Sequence, residues 1–277
     1  MTEIPNHQVV DAKETLEKIL AQKKDVPVKL AYAANKNHDV LSNEAEDLEN
    51  FRMDLLSDYA ETTEEGQIEQ RKDEDGNPTG EAKFKSEEDM QSFQERLNEI
   101  WSDSVDLDIY SVDIENVGSY VAPVDWGQNL SFMLENFETV EDTLRGSEVQ
   151  ANVNSIESIL SLKENESQKR QFPIKFSTAL FRTYGNLIEI QAEIEQRRFD
   201  LLDEYAEKDE DGRIKTQKGS ANAEFPDEES EKEFQEKLNE IYNEEFEVEG
   251  TLVEIDYLDD VELHPRHTII FDWMLTE

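Results

Sequence analysis

The chain has 277 residues, 36% of them hydrophobic, with 68 acidic against 27 basic side chains, a net charge of −41 and no cysteine. The missing cysteines exclude disulfides and thiolate chemistry, and the charge argues against direct nucleic-acid binding. No apolar run reaches the roughly 18 residues of a membrane span, and Met1-Thr-Glu-Ile-Pro5 is neither basic nor apolar, so a cytosolic setting without a membrane partner is expected.

Val10 to Lys24 places apolar residues at Val10, Leu16, Ile19 and Leu20, which predicts a short helix ending before the break at Asp25-Val26-Pro27. Val28 to Glu65 then lacks Gly and Pro and carries Ala34, Leu41, Leu48 and Leu55 at heptad spacing, the pattern of one long helix of roughly 35 residues, meeting the first in an elbow. Asp75-Gly76-Asn77-Pro78 between short alternating runs predicts a hairpin turn. Ser86, followed by two Glu, is good N-cap chemistry for a second helix that buries Phe93, Leu97, Ile100 and Trp101. Val105 to Ile109 and Val112 to Ile114 alternate as strands with an acidic outer face.

The same order then returns. Phe93-Gln-Glu-Arg-Leu-Asn-Glu-Ile100 recurs as Phe234-Gln-Glu-Lys-Leu-Asn-Glu-Ile241, and Arg52-Met-Asp-Leu-Leu55 as Arg198-Phe-Asp-Leu-Leu201. The copy stands 146 positions on from Val10 to about Glu65 and 141 on from Phe84 to Leu134, which locates a length change in the hairpin loop. Leu180, Leu187, Ile194 and Leu201 repeat the heptad stripe, and Asp227 replaces the Ser86 cap. We read a tandem duplicate of class α+β, with a first module at 1–138, a linker at 139–155 and a second module at 156–277. The stripe exceeds what the shorter helix can cover, so a pseudo-dimer of the two modules within the chain is expected, with further homo-oligomerisation left open.

Chemistry is sparse by comparison. His7, His38, His264 and His267 have no counterparts between copies, and His264-Pro-Arg-His267 reads as a surface turn. Asp73-Glu-Asp75-Gly76 and Asp209-Glu-Asp211-Gly212 echo a calcium loop but lack its closing glutamate, so both read as turns. Phosphate loops, nucleophile elbows and zinc helices are missing from the pattern. The expectation is therefore no catalytic residues, no metal and no cofactor, in a protein that is not an enzyme. The clusters Gln22-Lys23-Lys24 and Gln168-Lys169-Arg170 read as partners for helix C-terminal dipoles.

The acidity belongs to the repeat itself, since positions 1–138 hold 33 acids against 12 bases and positions 139–277 hold 35 against 15. Interleaved with apolar positions along the long helices, these acids make a candidate binding surface of Glu44, Asp47, Asp54, Asp58 and Glu61 in the first copy. In the second copy it comprises Glu189, Glu193, Asp200, Asp203, Glu204 and Glu207. A field of one sign attracts a basic protein partner.

The elbows Val26-Pro-Val-Lys29 and Phe172-Pro-Ile-Lys175, the helix end Asp200-Leu-Leu-Asp-Glu-Tyr-Ala-Glu-Lys-Asp-Glu-Asp-Gly212, the Phe234–Ile241 helix and the following strand carry a resemblance. Together they resemble a family of short, acidic, uncharacterised proteins of tailed bacteriophages and prophages, here as a fused pair. The resemblance implies a phage protein acting in the host cytoplasm or in the virion, and no catalytic residues come with it. Within that origin two functions are expected: a module that binds and inhibits a basic nucleic-acid-binding host or defence protein in the manner of a DNA mimic, or a virion or tail-assembly component. The helix-hairpin-helix order is similar to that of prefoldin-type chaperones by analogy alone.

Self-repulsion at this net charge predicts a melting temperature that rises with sodium chloride through the physiological range, because screening relieves the folded state more than the expanded one. Calorimetry across a salt series checks this; a flat profile would mean that the charges are already compensated.

Overall fold

The computed structural model describes residues 1–22, 26–63, 65, 67–72, 77–161, 163–165, 168–216, 222–258 and 272–276. In chain order the first elements are β1 (Thr2–Pro5), α1 (Asn6–Leu20), α2 (Val28–Tyr59), β2 (Gln70–Lys72), β3 (Pro78–Ala82), α3 (Glu87–Ser102), β4 (Ser104–Leu107) and β5 (Val112–Asp113). There follow β6 (Val121–Pro123), α4 (Asp125–Asn129), β7 (Leu134–Glu135), β8 (Thr139–Arg145), α5 (Gly146–Leu160), β9 (Lys163–Asn165), β10 (Gln168–Lys169) and β11 (Gln171–Pro173). The last are α6 (Ile174–Tyr205), α7 (Glu228–Asn243), β12 (Glu245–Thr251), β13 (Val253–Glu254) and β14 (Leu275–Thr276). This is a mixed α+β chain, as its patterning predicts.

It divides into two compact units, Met1–Val117 with Asn129–Glu135, and Gly118–Gln128 with Asn136–Glu277. In unit 1 the 32-residue α2 begins at Pro27, whose fixed φ suits a helix start. It stops at Ala60, which leaves helical geometry to bridge Phe84, while the Glu61 amide donates to the Lys83 carbonyl at 2.7 Å. α1 packs along the first half of α2 and α3 along its end. The stripe is buried as predicted at Ala34, Leu41 and Leu48 and half-buried at Leu55. Beyond it lies a second apolar nucleus of Leu56, Ala60 and Phe93. Ser86 caps α3 by accepting the Asp89 amide at 3.0 Å.

Unit 2 repeats this plan. The 32-residue α6 begins at Pro173 and stops at Ala206, and Asp227 caps α7 through the Ser230 amide at 2.8 Å. α5, α6 and β12 enclose a core of Val149, Val153, Ile156, Phe172, Phe176, Leu180, Leu187 and Ile194. Both units close with one antiparallel ribbon and one short parallel pair: β1–β4 and β5–β7 in unit 1, β12–β8 and β13–β14 in unit 2.

Three expectations change. Residues 139–155 are not a linker: they form β8 and the start of α5, both parts of unit 2. The cause is the repeat register, because the buried Val9, Ala12, Leu16 and Ile19 of α1 match Val149, Asn152, Ile156 and Ile159 of α5, 140 and not 146 positions on. The connection between the two helices has grown from 21–27 to 161–173 and includes the ribbon β9–β10. Gln168 and Lys169 therefore sit in a strand and not at a helix C-terminus. Finally, the module boundary at 138 is not clean, since Gly118–Gln128 packs within unit 2.

A buried side chain ties each long helix to the chain at the end of β12 or just beyond the end of β4. Asn37, 1% exposed, donates to the Tyr110 carbonyl at 3.0 Å and accepts its amide at 2.8 Å. At the equivalent place Thr183 accepts the Thr251 amide at 3.0 Å. A polar residue on the buried face of a helix is costly unless it is bonded, and the backbone of Tyr110 or Thr251 supplies that bonding here.

Truncating the stripe tests this packing. Leu48→Ala and Ile194→Ala should each cost about 2–5 kcal/mol, with Ile194→Ala the larger because its side chain is 1% exposed against 8% for Leu48. Urea unfolding measures both, and unchanged midpoints would contradict the packing.

Candidate acidic interaction surface

On α2, Asp47, Asp54 and Asp58 are exposed and follow the i, i+7, i+11 spacing that keeps residues on one helix face. Their equivalents on α6, Glu193, Asp200 and Glu204, are also exposed. Each set spans about 16 Å along its helix. Six of the eleven sequence-predicted carboxylates, three on each long helix, are thus brought into matching stripes.

The remainder divide by what they touch. Glu44 is half-buried on α2 beside this stripe, and Glu189 is exposed on α6. Glu61 lies beyond the helix end, 2.6 Å from Lys83, whose hydrogen bond holds its carboxyl below the usual range. Asp203 meets Lys208 at 2.7 Å and Glu207 meets Lys215 at 3.2 Å. Within the stripe Glu193 lies 3.7 Å from Arg197, and Asp200 accepts a hydrogen bond from Gln196 at 2.8 Å. Asp47, Asp54, Asp58 and Glu204 have no ion-pair partner among the described residues. The two stripes differ at one central position. In unit 1 it is Phe51, 55% exposed among carboxylates, and in unit 2 it is Arg197, which folds onto Glu244 at 2.6 Å.

The acidic strand faces expected from the alternating segments are present, but their partner strands β1 and β8 were not foreseen. On the ribbon of β8 and β12, Glu141 stands directly opposite Glu249, with Glu245 and Glu247 on the same exposed side and Arg145 opposite Glu245. On the ribbon of β1 and β4, Glu3 stands opposite Asp106. Like charges directly opposite each other destabilise a ribbon. The alternation of β12 was visible in sequence; its partner strand was hidden in the supposed linker.

Comparison with protein-family models, curated proteins and solved structures finds no match to the chain.

Among the described residues no group of three or more His, Asp or Glu is placed to hold a metal ion. Asp209 forms a turn, its Oδ1 accepting the amides of Asp211 and Arg213 at 2.9 Å, with Gly212 at φ +79°. His264, His267 and Asp73–Gly76 lie outside the described residues. His7 contacts the Trp101 carbonyl at 3.2 Å, and His38 lies 3.8 Å from Glu17 and 3.4 Å from Asp39. No helix of the described residues is long and apolar enough to cross a membrane.

The Arg197–Glu244 bridge gives a pH test. The Arg197 hydrogen bond, aided by its charge and opposed by desolvation, holds the Glu244 carboxyl below its usual 4.5. A lowered folded-state pKa stabilises above the unfolded value and is lost as pH falls through the folded one. The wild type should therefore be more stable than Glu244→Gln at neutral pH, with the gap closing as pH drops below about 4.5. Paired melts over a pH series measure it, and a gap independent of pH would contradict the assignment.

Proposed function

We propose that this is a phage-encoded protein that acts without catalysis, binding a basic host or viral protein through its acidic faces. A nucleic-acid-binding host or defence enzyme is the class of partner whose surface suits such faces. The observation that carries the reading is the stripe Asp47, Asp54, Asp58, matched at Glu193, Asp200, Glu204 and exposed in both units. The opposed pairs Glu141–Glu249 and Glu3–Asp106 support it, because their repulsion works against the ribbons that carry them. Phe51 adds an exposed aromatic within the first stripe, a residue type that anchors protein interfaces.

A magnitude limits the resemblance to DNA. From Asp39 to its end at Tyr59, α2 holds Asp39, Glu44, Glu46, Asp47, Glu49, Asp54 and Asp58 against Arg52. That is about one net charge per 5 Å of helix, compared with one per about 1.7 Å of duplex. A single stripe is too dilute to replace a duplex, so the reading rests on a basic protein surface and not on a copied phosphate spacing.

Affinity capture from host lysate at stepped salt, using wild type and an Asp47→Asn, Asp54→Asn, Asp58→Asn triple variant, tests the proposal. A basic partner should be retained at low salt, released as salt rises, and weakened at least about tenfold by the variant. Retention indifferent to both salt and variant would overturn it, and recovery of the protein in purified particles would favour a virion or tail-assembly component.

A further inference from the structure

The two long helices start alike, yet their first turns have different surroundings. In unit 2, β6 runs antiparallel to β11, pairing Ala122 with Phe172 and Val121 with Pro173. The amides of Ile174 and Lys175 donate to the carbonyls of Tyr120 (2.9 Å) and Gly118 (3.2 Å), and the Val124 amide to that of Arg170 at 3.0 Å. Gly127 lies so close to α6 that a Cβ there would stand 2.5 Å from the Ser177 Oγ. Under this cover Ile174 and Thr178 are 0% exposed, and Thr251 is 3% exposed.

The equivalent positions in unit 1 are open. Val28 is 83% exposed, Tyr32 48% and Tyr110 49%, the two tyrosines meeting edge to face at 5.1 Å. Lys36 Nζ sits 5.6 Å from the Tyr32 ring centroid. The amides of Val28 and Lys29, whose counterparts are bonded in unit 2, have no backbone partner among the described residues. The charge of the face is also unusual. From Val28 to His38 there is no acid, in a chain with 68 of them, while Lys29 and Lys36 are both present.

We propose that this face docks a second copy of the chain, which covers α2 as Gly118–Gln128 covers α6. The covering stretch in unit 2 belongs by sequence to the preceding repeat, and its counterpart 141 positions on is 259–269, which lies outside the described residues. That stretch carries Asp259, Asp260 and Glu262 against Arg266, a net charge opposite in sign to Lys29 and Lys36. The later half of α2 is acidic and repels a like copy, whereas its first turns carry only Lys29 and Lys36, with Asp108 and Glu115 the exposed acids on the loops beside them. One molecule receives while the other supplies, so the contact is head-to-tail and propagates as a ring or an open chain.

Sedimentation equilibrium over a hundredfold range of protein concentration should give a mean mass that climbs above 32.1 kDa. Val28→Glu and Lys36→Glu, both on the exposed face, should each weaken association at least about tenfold while leaving the melting temperature unchanged. A Val28→Cys chain offers a single thiol for an environment-sensitive dye. Its emission should shift on adding unlabelled wild type, but not on adding a chain with Asp259→Lys, Asp260→Lys and Glu262→Lys. A constant 32.1 kDa, association indifferent to both face variants, or an equal dye response to both chains would each overturn the proposal.

Discussion

Each unit depends on burying one apolar stripe along a helix longer than any other element can cover. A 32-residue helix is about 48 Å long, and α3 and α7 have half as many residues. Cover is therefore assembled piecemeal. α1 or α5 takes the first half, α3 or α7 takes the end, and the chain at or just after the ribbon is tied in through Asn37 or Thr183. Burial thins along the way. On α6 every residue from Ile174 to Leu180 is buried, whereas past Leu187 only Ile194 is. The weakly covered ends are also where the acids collect, which keeps charge away from the densest packing.

That arrangement explains which features were legible beforehand. Heptad spacing, the prolines at both helix starts and the two caps act through neighbours in sequence, so the helices and the buried Ala34, Leu41, Leu180 and Leu187 could be read directly. Partner strands could not. β1 and β8 are short and pair with segments about a hundred residues away, so nothing local marks them. The first helix of the second unit was misplaced because its identity to α1 is low and only the burial pattern, unseen in sequence, fixes the register. That one error also produced the supposed linker and concealed the acidic ribbon of Glu141 and Glu249.

The candidate surface was legible in part for a related reason. Acids are so frequent that composition alone cannot say which face outward together, and helical spacing had to choose among them. It recovered Asp47, Asp54 and Asp58 with their equivalents, while Glu61, Asp203 and Glu207 proved to be held by lysines placed near them by the hairpin and the helix end. Phe51 and Arg197 occupy equivalent positions yet leave the two stripes chemically unequal. A partner that meets both stripes therefore encounters an aromatic on one and a compensated cation on the other.

The glutamate row on the ribbon of β8 and β12 has a further effect. A two-stranded ribbon leaves both long edges open, and an open edge is a template on which another strand can pair and begin an aggregate. Here any second ribbon approaching in register would bring Glu141, Glu245, Glu247 and Glu249 against the same residues of its twin. The repulsion that weakens the ribbon internally therefore also opposes its stacking into fibres, an effect carried by the very residues that make the face acidic.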